Sequence, residues 1–300
     1  YKVTGISHAF QLFISSSPCT NSREEPKNIN QTIIEPRKGW QLINWKEIVE
    51  YRDLFYFWVL REIKVLYKQT VLGFAWAIIR PVASMVVFSV IFGKLAKVPS
   101  DGIPYPIFAY AALMPWTYFS QALTKSGQSL VQQANVISKV YFPRVVIPLA
   151  PVLAGLVDFT LSFTVLFALM IYFKVQITLN LVFLPLLVLL MVLLASGIGM
   201  WFAALGIQYR DVRQAEAFIV RLLMYATPVA WPMSIIPEQY RLIYAIYPMA
   251  GVIEGFRAAL IGQTAMPWDL IGIGTASAVL IFISGLFYFH RLERNFADVA

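Results

Sequence analysis

The sequence predicts an all-α membrane protein: six transmembrane helices, an amphipathic interface helix ahead of them, two short re-entrant helices between spans five and six, and both termini cytoplasmic. Three observations carry this expectation. Apolar residues make up 59% of the 300-residue chain, charged residues 13%, and the mean hydropathy is +0.66. A soluble domain holds roughly 45–50% apolar and about 25% charged residues, so this chain lacks the charge to coat a water-facing surface. The apolar residues also fall in runs of bilayer length, and lysine and arginine gather on the loops of one side. Soluble enzyme, disordered chain and disulfide-stapled secreted domain are therefore excluded as classes. Cys19 is the single cysteine and His8 and His290 the two histidines, too few for a cysteine or histidine metal site. The formal charge is +8, and the basic residues are not interleaved with aromatics as a nucleic-acid stripe, so no nucleic-acid partner is expected.

Residues 1–50 are polar, rich in Ser, Asn and Pro, and read as a cytoplasmic N-terminal extension. Residues 51–74 form the interface helix. Arg61, Lys64 and Lys68 are spaced i, i+3, i+7 and share one helix face, with Leu54, Phe57, Trp58 and Val65 supplying apolar surface. Such a segment is too charged to span and suits the headgroup layer. The six-span domain covers 75–290, with a cytoplasmic tail at 291–300.

A span needs roughly 20 predominantly apolar residues. The candidate spans lie at about 75–98, 106–124, 148–173, 179–206, 216–236 and 269–289. Ten Lys/Arg precede the first span, and Lys125, Lys139, Arg144, Arg210, Arg213, Arg291 and Arg294 share their side. The other side holds only Lys94, Lys97, Lys174, Arg241 and Arg257. The positive-inside rule then places both termini in the cytoplasm.

Between spans five and six, Ile243–Tyr247 and Met249–Ile261 are apolar but too short to cross, and Pro237, Pro248 and Pro267 punctuate them. Two short helices dipping into the outer leaflet fit this pattern. Pro228 and Pro232 interrupt the fifth span and permit a kink. Glu254 and Arg257, three apart, are placed to pair on one helix.

Arg80, Asp158 and Arg221 are read as the intramembrane charges. An isolated charge at mid-bilayer costs at least ~2.5–3.5 kcal/mol, so each needs a partner or a water cavity. Asp158 lies deepest and is expected to pair with Arg80 first and Arg221 second. No phosphate-cradling G-x-x-x-x-G-K-[ST] motif occurs; the Gly93–Lys94 pair is followed by Leu95.

Several segments carry a resemblance. REIKVLYKQTVLGFAW at 61–76, LMPWTYFSQAL at 113–123 and ANVISKVYFPRVVIPL at 134–149 are the first. LVDF at 156–159, YRDVR at 209–213, TPVAWP at 227–232 and YPMAGVIEGFR at 247–257 follow. In this order and spacing the chain, over about 50–295, resembles the permease subunit of type-2 ABC exporters of polysaccharides: O-antigen, capsule and teichoic-acid exporters. Leu66 departs from that pattern, where the family often has Arg, and so does Tyr247, where Asn is common.

The resemblance implies a homodimer of six-span subunits in the bacterial inner membrane, enclosing a path for a lipid-linked polysaccharide. Each subunit docks on a separate nucleotide-binding subunit, so ATP and Mg²⁺ belong to that partner, two copies per complex. This chain is then a transport subunit and not itself an enzyme. Gln132, Gln133, Asn135, Ser138 and Lys139 would form the ATPase-coupling loop. Arg61, Lys64 and Lys68 would contact lipid headgroups or the substrate pyrophosphate. Trp76, Phe88, Phe92, Phe218, Tyr225 and Trp231 would line the path, since aromatic rings pack on the C–H faces of sugars. Pro248, Glu254 and Arg257 would form the outer gate. The rival functions are a type-2 permease for a drug or small lipid, an integral-membrane glycosyltransferase, and a passive channel.

Overall fold

In the computed structural model the described residues are 51–68, 73, 75–137, 142–175, 178–262 and 264–293, and all of them fall in the compact unit Gln41–Ala300. They form helices and connecting turns, with no strand among the described residues. The extension 1–50, Ser138, Lys139 and the tail from Arg294 lie outside the described residues.

Helix α1, Arg52–Tyr67, falls within residues 51–74, where an interface helix is expected. Trp58 is its buried residue, while Arg61, Lys64, Lys68, Tyr56 and Phe57 are exposed. α2, Ala75–Phe88, tolerates Pro81 within it and continues as a π-helix over Ser89–Leu95. Ser89 helps set that change, donating its hydroxyl back to the Met85 carbonyl at 2.7 Å. Lys97, at φ +49°, ends the run.

α3, Tyr105–Gln132, starts behind Pro104 and is the central post of the bundle. Ile107, Phe108, Tyr110, Phe119 and Leu123 on it are all but fully buried. Three of its buried hydroxyls are satisfied internally: the Tyr110 hydroxyl donates to the Ser162 carbonyl at 3.0 Å, Tyr118 to Val152 at 3.0 Å, and Ser126 to Pro148 at 2.7 Å. Burial of this kind requires such pairing. α4 is a single turn, Ala134–Ile137, and α5 runs Val146–Tyr172. A short turn at Leu179–Phe183 leads into α6, Leu184–Gln208. α7 is Val212–Ala226, α8 Glu238–Tyr244, α9 Pro248–Ile261 and α10 Trp268–Glu293.

α6 and α10 approach closely where Gly197 faces the Phe282 backbone and Gly285 faces the Gly197 carbonyl. Small residues at a helix crossing let apolar helices pack without a hydrophobic drive between them. α3 packs on α2, α5, α6, α7 and α9.

Four helical stretches are long and apolar enough to cross a membrane: Ala75–Leu95, Val146–Tyr172, Leu179–Gln208 and Trp268–Glu293. These coincide with the first, third, fourth and sixth expected spans. The second differs in character: α3 has 28 residues but spends its length inside the subunit and carries Ser, Thr, Gln and Lys in its second half. The fifth expected span, about 216–236, is not one helix. α7 stops at Ala226 after 15 residues, because Pro228 drives Thr227 into extended backbone at φ −91°, ψ 140°.

Candidate functional site

One end of the bundle collects three of the expected features. The Arg61 guanidinium lies 4.9 Å from the Trp58 ring centroid and donates from Nη2 to Gln133 Oε1 at 3.1 Å. Trp58 packs against Phe142 with ring centroids 5.3 Å apart. α1 is thus bonded to the turn expected to couple to the ATPase. The far side of that turn is held by the end of α10. The Arg144 N–H donates to Glu293 Oε1 at 3.3 Å, and its guanidinium donates to the Glu293 carbonyl. Glu293 Oε2 is in turn 3.1 Å from His290 Nδ1. Gln132 and Asn135 are exposed on the turn and Gln133 is half-buried. Ser138 and Lys139 lie outside the described residues.

α1 does not simply rest on the bundle. Glu62 faces inward, where burial pushes its carboxyl above the ordinary range against the opposing pull of Arg61 and Lys125. Further along the same helix, the Tyr67 hydroxyl donates to Asp158 Oδ1. Burial and this bond both push the Tyr67 phenol well up. Asp158 therefore does not take the partner expected for it. Among the described residues neither Arg80 nor Arg221 forms an ion pair with it. Arg80 instead leans over Trp76, 5.5 Å from its ring centroid, and Arg221 is exposed on α7. The packing of α1 on α5 brings a phenol to Asp158, and a neutral donor satisfies a carboxylate without burying a second charge.

At α9 the expected pair forms: Arg257 Nη1 is 2.8 Å from Glu254 Oε1. Its surroundings go beyond what the spacing implies. Arg257 is 3% exposed, stands over Phe108, and donates to the Val229 carbonyl at 2.9 Å and to Trp231 at 3.3 Å. The Tyr105 hydroxyl donates to the intervening Ala230 carbonyl at 2.8 Å, and Glu254 accepts the Met233 N–H at 3.1 Å. The non-helical stretch after α7 thus has its backbone groups satisfied by side chains of α3 and α9, the condition for irregular backbone in an apolar setting. Pro248 opens α9 at its first turn and is buried.

The aromatics fall into separate groups. Trp76 is exposed on α2, and Phe88 and Phe92 are half-buried with rings 5.2 Å apart. Phe218 and Tyr225 are exposed on α7. Trp231 is half-buried, 6.0 Å from the Tyr244 ring. α2 and α7 each pack on α3.

Glu62, Tyr67, Glu216 and Glu293 are functional candidates that the sequence does not single out. Glu62 has a signal, since it follows buried Trp58 by four residues. Glu216 is 1% exposed on α7, with Oε1 unpartnered; its own helix carries no cue for that burial.

The helix order, the kinked segment after α7 and the short pair α8–α9 can be set beside known proteins. A family model described as ABC-2 type transporter matches residues 53–261. This chain belongs to the ABC-2 type transporter family.

Relatives of this ABC-2 transporter include the O-antigen export system permease protein RfbA of Klebsiella pneumoniae. It is 27% identical over 240 residues, covering 80% of this chain and 92% of the relative. RfbA of Myxococcus xanthus is 27% identical over 257 residues, 84% and 97% of the two chains. The polysialic acid transport protein KpsM of Escherichia coli is 26% identical over 243 residues, 78% and 92%. The four apolar helices and the family place this ABC-2 transporter in a membrane as a multi-pass protein.

Proposed function

We propose that this chain is the membrane subunit of an ATP-driven exporter of lipid-linked polysaccharide in the bacterial inner membrane. The observation that carries the proposal is similarity along most of the chain to permeases named for O-antigen export and polysialic acid transport. Two copies enclose the path, and two copies of a separate ABC subunit supply ATP and Mg²⁺ chemistry. α3 and α7 complete six crossings, α7 together with the segment that follows it, and both termini are cytoplasmic. α8 and α9 then dip into the outer leaflet as a gate whose fixed point is the Glu254–Arg257 pair.

The bond between Arg61 and Gln133 supports a mechanical role for α1. Movement of the ATPase against Gln132, Gln133 and Asn135 reaches the interface helix directly. Coupling requires contacts that differ between two states, and this bond is placed to be one of them. The exposed face of Arg61, Lys64 and Lys68 contacts anionic headgroups, at about 1 kcal/mol per cation. The exposed aromatics of α2 and α7 face the partner copy and the polymer, and together line the path that one subunit alone does not.

The test is deletion of the gene in a polymer-producing host. Polymer should accumulate inside the inner membrane and vanish from the surface, and the intact gene should restore it. Normal surface polymer in the deletion strain overturns the proposal.

A further inference from the structure

A cavity of about 200 Å³ lies among the end of α1, α2, α3 and α5. Its polar lining includes Tyr67, Arg80, Gln121, Lys125 and Asp158. Two cations share this space with one acid, and the acid is already engaged by Tyr67. Neither Arg80 nor Lys125 has a carboxylate within ion-pair distance among the described residues. Lys125 is close enough to Arg80 to be repelled by it, with Asp158 and Glu62 pulling the other way. Like charges lining one cavity repel, and an anion bound between them relieves the repulsion.

The mouth and walls narrow the chemistry further. Trp76 and Arg80 stand exposed at the rim, beside exposed Ile78 and Ile79 on the same helix. Leu66, Pro81, Met114 and Phe159 supply apolar wall. An anion with a long apolar chain attached fits both surfaces, its charge inside and its chain along α2.

We propose that this cavity binds the phosphate-bearing headgroup of a membrane lipid, with Arg80 and Lys125 as its cationic contacts and the Tyr67–Asp158 pair as its floor. The inference rests on the proposed function for one source of such a headgroup, the diphosphate of a lipid-linked cargo. Bulk anionic phospholipid is the other source.

The test uses the complex with its ATPase subunit in nanodiscs of phosphatidylcholine. Binding of a long-chain polyprenyl diphosphate and of phosphatidylglycerol is measured separately by native mass spectrometry. Arg80→Gln and Lys125→Gln should each weaken binding roughly tenfold, the loss of one charge-assisted contact. Arg80→Lys should retain most of it, and Asp158→Asn should strengthen it by removing the competing negative charge. A preference for polyprenyl diphosphate assigns the cavity to cargo; equal binding of both assigns it to bulk lipid. Either result supports the site. Unchanged affinity in both Gln variants, or weaker binding in Asp158→Asn, overturns it. Surface polymer in the deletion strain reports on the exporter reading independently, so the two can fail separately.

Discussion

The Arg257 guanidinium lies over the face of Phe108, 3.7 Å from the ring centroid, while the same side chain holds Glu254 at 2.8 Å. One residue thus joins α3, α9 and the irregular backbone after α7. Removing one partner of a buried ion pair costs ~3–5 kcal/mol, because the other charge is left uncompensated. Arg257→Met should lower the thermal midpoint sharply in detergent. The double variant Glu254→Gln/Arg257→Met should lose less than the sum of the two singles. Full additivity in that cycle is the result that contradicts a coupled pair.

Gly197 marks the crossing of α6 and α10. A Cβ there would sit 2.7 Å from the Phe282 Cα and 2.8 Å from its nitrogen. Backbone cannot turn aside as a side chain can, so Gly197→Ala should destabilise by ~1–3 kcal/mol. Gly272, on α10, is the opposite case: a Cβ there would meet nothing within 4 Å. Gly272→Ala should be neutral or stabilising, by up to ~1 kcal/mol from helix propensity. Thermal shift of the two variants side by side checks both.

Glu62 carries a pH signature. Its folded pKa is raised above the ordinary 4.5, mainly by burial. The folded protein therefore binds this proton more tightly than the unfolded chain does. The associated stability is fully present below about pH 4.5 and is lost as pH rises through the folded value. Glu62→Gln should raise the thermal midpoint at neutral pH and leave it little changed at pH 4. A midpoint that falls at neutral pH would show that attraction to Arg61 and Lys125 outweighs burial.

The Arg61–Gln133 bond is exposed, so it contributes at most about 1 kcal/mol to stability. Arg61→Ala and Gln133→Ala should each leave the fold and assembly intact. Each should reduce polymer exported per ATP hydrolysed, and the double variant should be no worse than either single. Export and hydrolysis measured together in the reconstituted complex decide this; unaltered coupling in both singles removes α1 from the coupling route.

Much of this chain is legible in its residues. The apolar runs locate four membrane-length helices, and the spacing of Arg61, Lys64 and Lys68 locates the exposed face of α1. Pro228 announces the break after α7, and the three-residue spacing of Glu254 and Arg257 announces their pair. Asp158 stands out as a charge needing a partner, but the partner is a tyrosine and not the arginine expected. Tyr67 is 91 residues away in sequence, on a helix expected to lie flat at the surface. Opposite charge is the natural partner to seek from sequence, and nothing in the local pattern shows that α1 packs on α5. Glu293, which holds Arg144 at the start of α5, sits at a helix end that reads as an ordinary charged terminus.

From the residues alone come the solvent this protein needs, the positions of its helices and the i, i+3 neighbours on them. Those properties depend on hydrophobicity and on a helical repeat that runs within a few residues. Tertiary structure alone decided that Asp158 meets a phenol, that Arg80 and Lys125 share a cavity, and that α1 is bonded to the turn at Gln133. Such meetings are set by how each helix is rotated and tilted against its neighbours, and no local spacing encodes that.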